Sequence, residues 1–289
     1  MSTPDIIIVF NPSAKGGKSK KIFDDYINFL TKTDTEYDLW TSTGNNDSLL
    51  LQKKLDLANY GKLSVIGGDG TLNMVINAIG DREINVHLIP AGSGNDFAKM
   101  IYKRIEYPSI YNLVIADPPT AKEVDTWSCN NHRFINIFGV GFDGSLVHRM
   151  AEKTYNIPTK LKYWLAIFNQ LFTYRSQSYF INNIEKQLFM VAVANGQIYG
   201  GDFRIAPKAD CSDGLLEVIQ IKKIWTPLRI FYLPILQAGK HLKLKITERS
   251  EDGELHISSD KNILGQLDGE PISGKRFEIK YARKVKILS

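Results

Sequence analysis

Cysteine is scarce in this chain. There are two, Cys129 and Cys211, far apart and with no His/Cys cluster beside either. That excludes a disulfide framework and a Cys/His zinc site, and it fits a reducing, cytoplasmic setting. Long apolar runs are missing too. No stretch reaches the roughly 18 residues that a membrane-spanning helix needs, so any membrane contact is expected to be peripheral. The first five residues carry no basic cluster and lead straight into an apolar run, so no signal peptide is expected. Internal repeats and low-complexity tracts are absent. A formal charge of +5 over 289 residues attracts anions mildly and is too small for a dedicated nucleic-acid binder. The remainder is an ordinary globular composition, long enough for two domains.

The chain is organised around Leu63-Ser-Val-Ile-Gly-Gly-Asp-Gly-Thr-Leu-Asn73. An apolar run ends in Gly67-Gly68-Asp69-Gly70-Thr71, and Leu72, Val75, Ile76 and Ile79 then fall on one helical face. This reads as a buried strand, a glycine turn and a helix N-terminus. Glycines let a ligand approach the backbone, and the first helical N–H groups with the helix dipole attract phosphate. Asp69 repels phosphate by itself. It fits either a metal ion accompanying the phosphates or a role in ordering the loop.

Around this stretch the spacing predicts strands at residues 5–10, 36–40, 63–66 and 86–90, alternating with helices at 18–31, 47–59, from Leu72 onward and from Asp96 through Met100. Such alternation means right-handed βαβ units and a doubly wound, mostly parallel sheet, whose ligands sit beyond the carboxyl ends of the strands. The loops at 11–17, 41–45, 67–71 and 91–96 all lie at such ends. Two motifs are decoys. Gly17-Lys18-Ser19 ends like a P-loop, but Pro12 stands where the first glycine is required, which leaves only the backbone and Lys15 to touch phosphate. Gly139-Val-Gly-Phe-Asp-Gly144 matches a dinucleotide fingerprint but reads better as a turn re-entering a helix.

Pro118-Pro119 marks a seam. Domains are expected at 1–122, an α/β nucleotide-binding unit, and 123–289, a β-sandwich whose last strand is free to return to the first domain. The second half is dense in short strands, at 123–127, 133–138, 188–194, 215–221, 242–247, 254–258, 263–267, 277–281 and 284–288. Helices are expected at 159–174, rich in aromatics and bases, and at 227–240. The first has two readings, a bilayer-docking helix or a cover for a sheet face. Asp210-Cys-Ser-Asp213 before Gly214-Leu215 is either a hard-cation loop or an Asx turn. Asp268-Gly269 is a turn signal, and the neighbouring Glu270 suits a general base for a hydroxyl.

In order along the chain, Gly67-Gly-Asp-Gly-Thr71, Pro90-Ala-Gly-Ser-Gly-Asn-Asp-Phe97, Tyr199-Gly-Gly201, Ala206-Pro207 with Asp213-Gly-Leu-Leu216, and Asp268-Gly-Glu270 resemble the diacylglycerol kinase catalytic family, most closely its soluble bacterial lipid kinases. The resemblance covers almost the whole chain. It implies an ATP-binding α/β domain, a lipid-substrate β-sandwich domain, an active site in the cleft between them, and transfer of the γ-phosphate of ATP to a lipid hydroxyl, foremost that of diacylglycerol. Carried over by position, Asn11, Pro12, Ser13, Ala14, Lys15, Thr41, Gly68, Asp69, Gly70, Thr71, Leu72, Asn73 and Ser93 contact ATP. Asp69 is the essential acid of the glycine loop and Glu270 the catalytic base. Asp96, Asp125 and Asp268 are supporting acids. Asp210, Asp213 and the Leu215 carbonyl hold a structural Mg²⁺, a second Mg²⁺ accompanying ATP.

The expected partners are ATP, the lipid and a membrane surface touched peripherally during turnover; no nucleic acid is expected, and a homodimer is allowed. Ser93 replaces the commoner Thr and keeps its hydroxyl, whereas Met74 stands where Glu is usual. Kinases of other lipids (a sphingoid base, monoacylglycerol, phosphatidylglycerol) share nearly every residue. A kinase of NAD shares the glycine loop but not the Asn95-Asp96 pair, and a non-catalytic lipid-binding regulator would not need Asp69, Glu270 and the metal pair intact.

Overall fold

The computed structural model describes residues 4–152 and 159–289. The chain forms two compact units, one of Met1–Asp125 with Arg283–Ser289 and the other of Thr126–Ala282.

The first unit runs β1 (Ile6–Phe10), α1 (Ser19–Lys32), β2 (Tyr37–Thr41), α2 (Asp47–Leu55), β3 (Lys62–Gly67), α3 (Asp69–Ile79), β4 (Asn85–Pro90), α4 (Asp96–Tyr102), α5 (Tyr107–Asn112) and into β5 (Ala121–Cys129). The four strands β2, β1, β3 and β4 lie side by side in that order, all parallel. Every residue of β1 is buried, as befits a parallel strand covered by helices on both faces. On one face Tyr26 and Leu30 of α1 pack against Ile6, Ile8 and Phe10, with Tyr111 of α5 beside them. The end of the chain returns to this unit. Ile287 pairs in parallel with Val86, Ser289 exchanges hydrogen bonds with Thr120, and the Arg283 guanidinium donates to the carbonyls of Gly80 and Arg82.

The second unit contains β6 (His132–Phe134), β7 (Ile137–Gly141), α6 (Phe142–Glu152), α7 (Thr159–Thr173), β8 (Gln177–Ile181), β9 (Ile184–Ala194), β10 (Leu216–Lys222), α8 (Arg229–Gln237), β11 (Thr247–Asp252), β12 (Glu254–Leu267) and most of β13 (Glu270–Leu288). All of its ladders are antiparallel. Its long strands each serve three neighbours: β9 pairs with β10, β8 and β7, and β12 pairs with β13, β8 and β7. Alternation along β9 and β10 sends Val191, Val193, Leu216 and Val218 into the sandwich core. Ala192, Ala194, Ile219 and Ile221 point the other way, into a second core under the helices. Both faces are covered, which is why apolar residues fall on both sides of these strands; the buried polar exceptions on β10, Glu217 and Gln220, are held by Arg249 and Lys186.

The expected strand at 133–138 is two strands, because the N–H groups of Ile135, Asn136 and Ile137 leave the ladder to bind the Asp268 carboxylate. The expected strand at 242–247 is a 3-10 turn at His241–Lys243; Leu242 and Ile246 pack under the helices, buried His241 donates from Nε2 to the Ile205 carbonyl, and pairing with β10 starts only at Thr247. The segments 254–258 and 263–267 are one strand interrupted by an irregularity, and 277–281 and 284–288 are one strand. The strand β8 was not foreseen, since its alternation is short and polar-edged. The helix expected at 227–240 begins as a 3-10 turn at Thr226–Leu228.

One buried polar chain in the first unit carries a pH consequence. His87 donates from Nε2 to the Ile110 carbonyl at 2.8 Å, which leaves Nδ1 to accept from the Ser64 hydroxyl at 3.1 Å. Complete burial pushes its pKa down from 6.5 to about 4. The unfolded chain therefore binds the extra proton first, and the folded state loses stability as pH falls from 6.5 to 4. The loss is expected to reach about 3 kcal/mol. In urea titrations across this range, His87→Gln should flatten the slope; a slope identical to wild type would remove His87 as its origin.

Candidate active site

The glycines of the first unit are explained by a backbone contact. β3 and β4 end side by side, and the loops that follow touch at Gly68 and Gly92. A Cβ on Gly68 would stand 3.0 Å from the Gly92 Cα, and one on Gly92 would fall on the Gly68 backbone. Only glycine permits so close an approach. Asp69, the first residue of α3, turns its carboxylate onto the start of α4, accepting from the N–H groups of Asp96 at 3.2 Å and Phe97 at 3.1 Å. Of its two sequence readings, the ordering of the loop is therefore visible directly. Asn95 stands in left-handed backbone (φ 56°) and clamps Gly92 from both sides, accepting its N–H at 2.8 Å and donating to its carbonyl at 3.0 Å. Gly67, Gly68, Asp69, Pro90 and Asn95 border a crevice of about 250 Å³ including its open part.

Asn11 joins this group, donating to the Thr71 hydroxyl at 3.0 Å while accepting the Ser13 N–H at 3.0 Å. Pro12 and Ser13 are exposed, and Ala14 opens a 3-10 turn in which Lys15 takes left-handed backbone (φ 53°), its side chain in solvent. Thr41 ends β2, exposed, and Ser93 is exposed at the tip of the second glycine loop. Gly70 is exposed in the first turn of α3, where N–H groups lack intrahelical acceptors. Leu72 behaves differently. Its side chain is buried and its N–H goes to the Gly68 carbonyl, so it supports the loop from below. Asn73 holds Asn77 of the same helix. Asp96 is buried and pairs with Lys99 at 3.4 Å; Asp125 is fully buried, with the Lys284 ammonium at 4.0 Å.

In the second unit the Asp268-Gly269 pair forms a tight hairpin turn, both residues at positive φ (49° and 91°), and Glu270 follows it, exposed, opposite Leu267. Asp268 is the anchor. Its buried carboxylate accepts three backbone N–H groups, from Ile135 at 2.9 Å, Asn136 at 3.0 Å and Ile137 at 2.8 Å. Those bonds define its role as holding the turn. Asp210 and Asp213 are exposed in the loop before β10. Asp210 accepts from the Ser212 N–H and hydroxyl, and Asp213 accepts from the Leu215 N–H. Two carboxylates and a carbonyl form an all-oxygen donor set, the chemistry that suits Mg²⁺. A different cluster, Glu254, His256 and Glu278, brings three potential ligand atoms within 4.8 Å of one another, but it is exposed and already engaged by Lys280.

The sequence reading passed over Asp143 and Gln266. Asp143 sits inside the decoy glycine motif, 3% exposed, and burial pushes its carboxyl up to about 7 against the hydrogen bonds from Gly144, Gln266 and Tyr199. The available signal was an acid placed directly after an apolar stretch, Ile137 to Phe142.

Comparison with known proteins decides what this arrangement is. Residues 5–126 match the diacylglycerol kinase catalytic domain, and residues 136–281 match the YegS C-terminal NAD kinase beta sandwich-like domain. The chain belongs to the diacylglycerol kinase catalytic family. It is an ATP-dependent lipid kinase. It is 25% identical over 279 residues to a diacylglycerol kinase of Bacillus subtilis, spanning 91% of this chain and 88% of that one. Against a diacylglycerol kinase of Staphylococcus epidermidis it is 26% identical over 278 residues, spanning 91% and 84%. A crystal structure of a diacylglycerol kinase from Bacillus anthracis superposes with a TM-score of 0.70 at 16% identity, covering 100% of this chain and 97% of that one, and shares its fold.

For this kinase the glycine contact makes a direct prediction. Gly92→Ala must push the two loops apart, an overpacking strain of about 1–3 kcal/mol. Calorimetric titration with ATP should find binding weakened roughly tenfold or more. Unchanged ATP affinity would mean that the loop contact does not shape the nucleotide site.

Proposed function

We propose that this lipid kinase phosphorylates diacylglycerol, with Glu270 as general base. The observation that carries the lipid reading is an apolar pocket within the second unit, about 530 Å³ including its open part. Leu146 of α6, Ile167 and Leu171 of α7, Phe189 of β9 and Leu233 and Leu236 of α8 are among its walls. A nucleotide acceptor such as NAD has no use for such walls, whereas an acyl chain does.

α7 supports the same reading from its other side. Ile167 and Leu171 are buried, yet Leu161, Trp164, Leu165, Phe168 and Phe172 are exposed along one stripe, and Trp225, Leu228 and Phe231 are exposed at the start of α8. A helix apolar on both sides belongs in a wholly apolar setting. In this proposal that outer stripe dips into the bilayer surface, the net charge of +5 favours anionic lipid, and the substrate enters the apolar pocket from the membrane.

In the proposed reaction the loops bearing Asn11, Ser13, Lys15, Thr41, Gly68, Gly70, Thr71 and Ser93 hold ATP by backbone N–H groups, hydroxyls and one ammonium, with Asp69 keeping the loops in register. Glu270 accepts the proton of the lipid hydroxyl. The lipid oxygen then forms a bond to the γ-phosphorus in line as the bridging bond to ADP breaks. Mg²⁺ bound with ATP would neutralise phosphate charge. Asp210, Asp213 and the Leu215 carbonyl would hold a further Mg²⁺ with a structural role in that loop.

The test is phosphate transfer from labelled ATP to a panel of lipids in mixed micelles, with NAD included. Diacylglycerol should be labelled, and Glu270→Gln should lower turnover roughly 10²–10⁴-fold while ATP affinity stays unchanged. Full turnover in that variant removes Glu270 as base, and label on NAD overturns the lipid reading. The double variant Leu165→Ser/Phe168→Ser should lose most of its sedimentation with anionic vesicles while binding ATP as wild type does. Vesicle binding equal to wild type would rule out the α7 stripe as the docking face.

A further inference from the structure

The apolar pocket and the turn that carries Glu270 are joined by a buried hydrogen-bond chain. Asp143 and Tyr199 line the pocket. The Tyr199 hydroxyl donates to Asp143 Oδ2 at 3.3 Å, and Gln266 Nε2 donates to the same oxygen at 3.4 Å. The Gly144 N–H holds Oδ1 at 2.9 Å. At its other end Gln266, which is completely buried, accepts the Gly269 N–H on Oε1 at 2.9 Å. Gly269 immediately precedes Glu270. The orientation of the Gln266 amide is thereby defined: Gly269 offers a donor, so Oε1 must face it, and Nε2 must face Asp143.

We propose that Asp143 is a positioning residue for the phosphoryl transfer, acting through Gln266 to pin the Asp268-Gly269 turn and so to aim Glu270. The proposal rests on the reading of Glu270 as general base. An ionised Asp143 is purely an acceptor, and it matches the two donors that reach Oδ2. A protonated Asp143 carries a donor of its own and requires an acceptor. The acceptors beside it are the Tyr199 hydroxyl, whose own O–H must then turn away from the acid, and Gln266 Oε1; turning that amide oxygen to the acid swings Nε2 against the Gly269 N–H, donor against donor. The turn then loses the bond that holds Gly269. Leaving a buried N–H unpaired is unfavourable, so the segment loosens. The carboxyl's elevated pKa, about 7, sets this exchange in the neutral range.

The titratable groups that face Asp143 are phenols: Tyr199 from the loop after β9, Tyr174 at the end of α7 and Tyr179 on β8. All three are pushed up by burial, Tyr179 to about 12, so they stay un-ionised where the carboxyl titrates. Arg229 borders the same pocket, but its guanidinium is occupied by the carbonyls of Ile224, Leu171 and Tyr174. The sign follows. Turnover rises with pH as Asp143 ionises and falls as it is protonated.

The experiment measures two things on the full chain, the pH profile of diacylglycerol phosphorylation in mixed micelles and the hydrogen exchange of the peptide spanning 266–272. Asp143→Asn keeps the shape and is a permanent donor. Its kcat should be roughly tenfold low and independent of pH around neutrality, with the KM for ATP unchanged. At alkaline pH its 266–272 peptide should exchange as fast as that of wild type at acid pH, once intrinsic rates are corrected. Tyr199→Phe removes one donor to the ionised form, so it should move both the acid limb and the exchange midpoint to higher pH.

Exchange and profile of Asp143→Asn superimposable on wild type would overturn the proposal. If Asp143→Asn does not fold, Tyr199→Phe decides, and an unmoved midpoint is the negative result. Exchange does not depend on any substrate. Full turnover of Glu270→Gln therefore sinks the base reading alone, and wild-type exchange in Asp143→Asn sinks the relay alone.

Discussion

Backbone N–H groups gathered on a carboxylate are the interaction on which the functional loops of both units depend. Asp69 gathers two at the start of α4, Asp268 gathers three ahead of β7, and Asp47 gathers those of Thr43 and Gly44 at the end of β2. Loops made of glycine and small polar residues have little side-chain mass to pack, so packing cannot hold them. Hydrogen bonds to an ionised acceptor can, at about 1.5–3 kcal/mol each. A loop held in this way keeps its exposed surface as backbone and hydroxyl, the surface a phosphate chain requires.

The second unit solves another problem, that of offering an apolar site without collapsing it. β9 and β10 place apolar residues on both faces, one set in the sandwich core and the other under the helices. The helices do not close completely on that second face. Buried Arg229 accounts for part of this, because its guanidinium donates to the carbonyls of Leu171 in α7 and Tyr174 just after it and lies 5.0 Å from the Phe189 ring, which fixes the end of α7 at a set place. What remains between them is the pocket. A dry wall also explains why the carboxyl of Asp143, with its few hydrogen bonds, sits so far above the ordinary range.

Much of the fold could be read from periodicity. The alternation of buried strands and amphipathic helices through Tyr102 depends on contacts a few residues apart, and it survives folding with shifts of a residue or two, except that the helix expected at 47–59 ends at Leu55. The errors share one cause. Residues 133–138 read as a single strand because Ile135, Asn136 and Ile137 carry no mark of an aspartate arriving from more than 130 positions away. Leu242 and Ile246 read as strand because nothing local says that α8 and Ile205 are their neighbours. β8 was invisible because its apolar face, Tyr179 and Ile181, is only two residues long.

The chain's order of residues by itself determined that there is a glycine-lined nucleotide fold, where its loops lie, and that the motifs follow the sequence of a lipid kinase family, because each of these is a property of a short stretch or of stretches in series. Only the tertiary structure decided what the acids do. In sequence Asp69 suits either a metal ion accompanying phosphates or the ordering of its loop, and Asp268 reads as a turn residue; it is the amides brought to them from distant positions that make both of them loop anchors. Glycine at 68 and at 92 likewise has two local explanations, turn geometry or ligand approach, until the two backbones are seen in contact. The reason is general: what a polar side chain does is set by its partners, and in a folded chain those partners come from anywhere.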